Sequence, residues 1–129
     1  KVVIIDNKKK YLSKIFNNKL TLLTRLSIPH QGLFMKKGYF IKYGNFDTKL
    51  KYAMDYDLIL RSFYNFPNFK SVDKIICTWP MDGIGKNKTL KILKEYDLIR
   101  RKNKILNLFI QKMIYNYSKV KFYLKQFLN

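Results

Sequence analysis

A chain of 129 residues carries enough sequence for one domain and one core. Its content of 47% apolar and 16% aromatic residues excludes a disordered basic tail. The formal charge of +19 favours anionic partners such as nucleotide phosphates, anionic lipid or nucleic acid, although part of it reflects the Lys-rich usage that AT-rich coding leaves on solvated faces. The single cysteine, Cys77, can form no internal disulfide, in keeping with a reducing compartment. No apolar run approaches the roughly 18–20 residues of a transmembrane helix. The chain opens on Lys-Val-Val-Ile-Ile-Asp without an initiator Met, which reads as the middle of a longer protein.

In chain order, residues 2–5 are a continuous β-branched run closed at Asp6-Asn7. They predict a buried strand with neighbours on both sides, as in a parallel sheet covered by helices. Residues 8–19 are polar and basic and read as a surface connection, with Leu12, Ile15 and Phe16 able to support a helical turn or two. Residues 20–26 and 28–35 are short and apolar, again strand-like, with Pro29 confined to an edge or a strand start. Alternation in the second run places His30, Gly32 and Phe34 on one face and Gln31, Leu33 and Met35 on the other. Residues 36–43 predict a short helix with Tyr39, Phe40 and Tyr43 on one side, stopped by Gly44 in a left-handed conformation.

Residues 53–64 form the strongest helical pattern. Met54, Leu58 and Arg61 share one side, Asp55, Ile59 and Phe63 line a neighbouring stripe, and Pro67 and Asn68 end the element. Residues 72–79 predict a strand with Ile75, Ile76 and Cys77 at its buried centre, followed over residues 80–86 by a loop containing Asp82-Gly83-Ile84-Gly85. From residue 89 onward charges mix with apolar residues at helical spacing, predicting two helices with a break near Tyr117-Ser118. From Lys86 onward twelve Lys or Arg stand against Glu95 and Asp97 alone. The alternation of strands and helices predicts an α/β fold, a small mixed sheet with flanking helices and a helical C-terminal extension.

Asp47, Asp55 and Asp57 are three of the eight acidic residues, gathered between Gly44 and the apolar run of a helix. A carboxylate in a helix's first turn is kept ionised by the macrodipole and the free amides, which suits a base at neutral pH. The same pattern also describes ordinary first-turn residues, each worth about 0.3–1 kcal/mol. Arg61 lies four residues after Asp57, so an intrahelical ion pair is available. His30 is the only histidine, and no second His or Cys joins it in a zinc set. With Gln31 it forms a polar pair in an apolar run. The glycine-bearing loop at Asp82, Gly83, Ile84 and Gly85 can cradle phosphate or be an ordinary turn, because it lacks the spacing of a Walker or dinucleotide loop. Trp79 beside it can stack on a sugar or base, or simply pack.

Taken in order, Ile28-Pro-His-Gln31, Phe34-Met-Lys-Lys37, Gly44-Asn-Phe-Asp47, Ala53-Met-Asp-Tyr-Asp-Leu-Ile-Leu-Arg61 and Asp82-Gly83-Ile84-Gly85 resemble the C-terminal half of a family 2 glycosyltransferase with the GT-A fold. The chain is similar to enzymes of colanic-acid and capsular-polysaccharide biosynthesis over about residues 26–86. The resemblance implies that residues 1–86 are the acceptor-side half of a catalytic domain and that residues 87–129 are basic amphipathic helices. It implies that Asp55 is the catalytic base of an inverting transfer from a nucleotide-sugar donor to a saccharide or lipid-linked acceptor. It places His30 and Gln31 beside the sugars and Asp82 to Gly85 near the diphosphate or the acceptor entrance, with Asp57 and Arg61 as supporting residues. The family's divalent cation, Mg or Mn, is held by an Asp-x-Asp motif, which is expected upstream, shortly before residues 1–6. The loop departs from the family in ending at Gly85 rather than Ser, and Met54 stands where many members carry Glu. The implied location is cytoplasmic, peripheral on the inner face of the plasma membrane.

Two readings of the basic C-terminal region stay open at this point. Its helices can lie on an anionic membrane surface, or they can pack back on the domain with a solvated basic face. The competing function is a non-enzymatic basic module binding nucleic acid, which charge and aromatics permit but no stacking motif supports. A scaffold fragment with a decayed site is a third, against which the retained Asp55 speaks.

Overall fold

The computed structural model describes residues 1–6, 9–14, 16, 18–80, 84–85 and 87–128. Their architecture is mixed α/β, with a three-stranded sheet and four α-helices among the described residues. The β-branched run at the start forms β1 (Val2–Asp6), which is the central strand in the order β2-β1-β3. β2 (Lys9–Leu12) pairs with it antiparallel, Asp6 opposite Lys9 and Val3 opposite Leu12. This corrects the reading of residues 8–19 as a plain connection, and Lys10 suits such an edge strand because a lysine discourages pairing with another chain. β3 (Cys77–Pro80) pairs parallel to β1, Val2 opposite Cys77 and Ile5 opposite Pro80. The strand expected over residues 72–79 is shorter than its apolar content suggests. Its ladder starts where β1 starts, so Ile75 and Ile76 run past the neighbouring strand and stay exposed, at 63% and 42%. The sheet is also not a covered parallel one, since β2 runs antiparallel and Val3, Ile4 and Ile5 of β1 are only half-buried.

The two apolar runs expected as strands are 3-10 helices instead. Lys19–Leu23 is one, because the Asn18 side chain accepts from the Leu20 amide (2.8 Å) and the Thr21 hydroxyl donates to the Asn18 carbonyl (2.7 Å). Local bonds of this kind compete with a ladder. His30–Gly32 is the other, a single turn entered from Pro29. Its geometry removes the alternation expected from His30 to Met35. Gly32 sits against β1, and a Cβ there would lie 3.0 Å from the Val2 side chain.

α1 (Lys37–Tyr43) forms as expected and ends at Gly44. Gly44 does not take the left-handed helical conformation expected of it. Its φ of 81° and ψ of −179° fall in a region that is open essentially to glycine alone. α2 (Met54–Leu60) stops well before Pro67, because Ser62 and Phe63 donate to the carbonyls of Ile59 and Leu60 in tight turns. Tyr56, Asp57, Leu58, Ile59 and Leu60 are all buried, so this helix is enclosed rather than two-faced. The core lies around it, with Leu22, Leu50, Ala53, Phe63, Ile99 and Ile105.

α3 (Thr89–Lys102) packs against α2 and contributes Ile99 to that core. It ends in a Schellman turn: Lys104 has φ 51°, its amide donates to the Arg101 carbonyl, and the Ile105 amide donates to the Arg100 carbonyl (2.9 Å). Buried Ile105 supplies the apolar contact typical of that turn. The break between the last two helices therefore falls here and not near Tyr117-Ser118. α4 (Leu108–Phe127) runs unbroken through those two residues, where the Ser118 hydroxyl donates to the Ile114 carbonyl one turn back. Asn107 caps α4 by accepting from the Ile110 amide (2.9 Å).

Candidate functional site

The sequence before α2 has no side-chain cap of its own, and Ala53 occupies the cap position. Glu95 of α3 supplies the missing acceptor from across the fold. Its carboxylate accepts from the amides of Lys51 (3.0 Å), Tyr52 (2.8 Å) and Ala53 (2.8 Å). Three charge-assisted bonds pin the entry of α2, and with it the direction in which Asp55 leaves the first turn.

Asp55 projects beside the His30–Gly32 turn. The His30 Nε2 lies 3.5 Å from the Asp55 Oδ2, with 38% and 31% of the two side chains exposed, so both remain open to a solute. Trp79 of β3 stands edge-on to the His30 ring, with centroids 6.3 Å apart. Tyr96 closes the inner side. Burial first, and then the charge of Asp55, pushes its phenol above the ordinary range, so it stays neutral there. Its hydroxyl accepts from the Leu26 amide (3.4 Å), and its ring packs on Tyr56, centroids 4.3 Å apart. A carboxylate, an imidazole and an indole wall thus come from three distant segments. Such a set can hold a hydroxylated ligand and take a proton from it.

The other carboxylates do different work. Asp57 is fully buried and accepts from Arg61 Nε (3.1 Å) and Nη2, Lys102 (3.4 Å) and Asn103 (3.1 Å). Arg61 also donates to the carbonyls of Tyr43 and Asn45, both at 2.8 Å, and so fastens the turn around Gly44 to α2. Asp47 accepts from the Lys49 amide (3.0 Å) and from Lys102 (2.7 Å), and these two bonds hold its carboxyl below the usual range. The hydrogen bond to Asp47 leads in raising the Lys102 ammonium above its own.

The Gln31 carbonyl accepts from the Cys77 Sγ (3.4 Å), a contact that ties its turn to β3. Asp82 and Gly83 lie outside the described residues. Ile84 is exposed, and Gly85 packs toward α3, where a Cβ would meet Ile92 at 3.2 Å. Two shallow hollows among the described residues lie along α4 and between α3 and α4, away from Asp55.

A divalent cation does not fit Asp55-Tyr-Asp57, the one Asp-x-Asp of the chain. Asp57 is sealed in its cationic network while Asp55 faces the opposite way, toward His30. No cluster of three His, Cys, Asp or Glu occurs among the described residues. Glu95 and Tyr96 are the residues that sequence reasoning missed. Glu95 had one signal, as one of only two acids in a strongly basic stretch. Comparison with protein-family models, curated proteins and solved structures returned no match to the chain.

Proposed function

We propose that the chain is the acceptor-side half of an inverting family 2 glycosyltransferase with a GT-A catalytic domain, acting in bacterial surface polysaccharide biosynthesis. The observation supporting this reading is the meeting of Asp55, His30 and Trp79 in one partly exposed place. Asp55 accepts the proton of an acceptor hydroxyl while that oxygen bonds the anomeric carbon of the donor sugar. The bond from that carbon to the nucleotide diphosphate breaks on the opposite face, and the configuration inverts. His30 orients the carboxylate, and the Trp79 ring offers an apolar face on which a pyranose can stack. No step of this reading passes through a cation held by residues 1–129.

The test is transfer by the protein that joins this chain to its upstream nucleotide-binding half. Asp55→Asn should lower turnover by about 10²–10⁴-fold, the range for removing a general base, with the circular dichroism spectrum unchanged. Normal turnover by that variant overturns the assignment. Residues 1–129 alone should transfer no sugar.

A further inference from the structure

α4 carries more apolar surface than its packing against α3 covers. The side facing α3 carries the buried Gln111, whose amide donates to the carbonyls of Ile105 (2.6 Å) and Leu106 (3.0 Å). The side facing solvent is apolar. At about 3.6 residues per turn, Phe109, Met113, Tyr117, Val120, Leu124 and Phe127 fall on one stripe, and their exposures run from 56% to 89%. Lys112 and Lys119 border that stripe on one flank, Lys121 and Lys125 on the other. No acidic residue occurs between 108 and 128.

We infer that α4 is an in-plane anchor for an anionic lipid surface. Its apolar stripe enters the boundary between headgroups and acyl chains, and the bordering lysines reach the lipid phosphates on either flank. No helix among the described residues is long and apolar enough to cross a membrane, and a helix lying in the interface needs no such length. Charge decides between occupants. A second copy seated on the stripe would bring two sets of these four lysines together with no acid between them, whereas anionic headgroups neutralise them. The two open readings of the basic region thereby divide between its helices: α3 packs back on the domain and α4 presents its apolar side outward. The inference does not depend on the role of Asp55.

The experiment is flotation of the chain with vesicles of phosphatidylcholine alone and of phosphatidylcholine with phosphatidylglycerol. Binding should require the anionic lipid. Each Lys→Gln change among the four lysines should weaken it about five-fold, the equivalent of roughly 1 kcal/mol per cation near such a surface. The double variant Val120→Asn, Leu124→Asn keeps the net charge and touches only exposed positions. It should lose most of the binding, with its circular dichroism unchanged. Phe109→Trp in a Trp79→Phe background should show blue-shifted emission on binding, which adsorption by charge alone does not produce. Absence of binding, or full binding by the asparagine variant, overturns the inference. So does a dimer in sedimentation that the asparagine variant dissolves while vesicles are ignored.

Discussion

A buried carboxylate needs compensation, and Asp57 receives it from Arg61, Lys102 and Asn103 together. Arg61→Ala removes one partner of this group and unfastens the Gly44 turn. Loss of one partner of a buried ion pair costs about 3–5 kcal/mol, and the lower end applies because Lys102 and Asn103 still hold Asp57. Denaturant unfolding of that variant should show a drop of about 3 kcal/mol. Tyr56 gives a different handle. Its hydroxyl donates to the Leu22 carbonyl (2.6 Å), and burial pushes its phenol up to about 12. The unfolded chain loses this proton near its ordinary value of about 10, so the folded state alone retains it between the two values. Stability is therefore complete below pH ~10 and falls as pH rises toward 12, by roughly 1.4 kcal/mol per unit. Tyr56→Phe should flatten that alkaline slope in a pH series of unfolding curves.

Between elements, the decisive contact is Glu95 of α3 on the three amides that lead into α2. Glu95→Ala should destabilise the fold by about 1–2 kcal/mol, as one exposed and two part-buried amides lose their acceptor. It should also raise hydrogen exchange at residues 51–53, a readout that general loosening would spread across the chain. The elements themselves were unevenly legible in the sequence. β1, α1 and the existence of α2 follow from patterns within a few residues, such as the β-branched run and the glycine after Tyr43. The 3-10 helices at Lys19–Leu23 and His30–Gly32 have strand-like composition, and a cap at Asn18 and a turn from Pro29 outweigh it. The break after α3 carries no glycine. A lysine holds the left-handed position, and the bonds from Gln111 and the burial of Ile105 keep it there. No pattern in the sequence announces a turn made by tertiary contacts.

At the scale of the whole molecule, the core gathers on α2 and α3 while the sheet lies to one side, joined through the His30–Gly32 turn. Asp55 and His30 were legible as residue types but not as neighbours, since their meeting depends on how that turn packs beside α2. Asp57 and Asp55 could not be told apart by spacing, because burial by Lys102 and Asn103 from the end of α3 separates them. The parallel pairing of β1 with β3 carries one more consequence, for the growing polypeptide. Val2 waits for Cys77, so on the ribosome the hairpin of β1 and β2 emerges with one edge open. At synthesis rates of about 5–20 residues per second, that edge stays unpaired for several seconds at least, until the helical middle of the chain has been made. Lys10 of β2 suits the opposite edge only, which leaves the β1 edge open to a chaperone, or to a neighbouring nascent chain, until Cys77–Pro80 has been made.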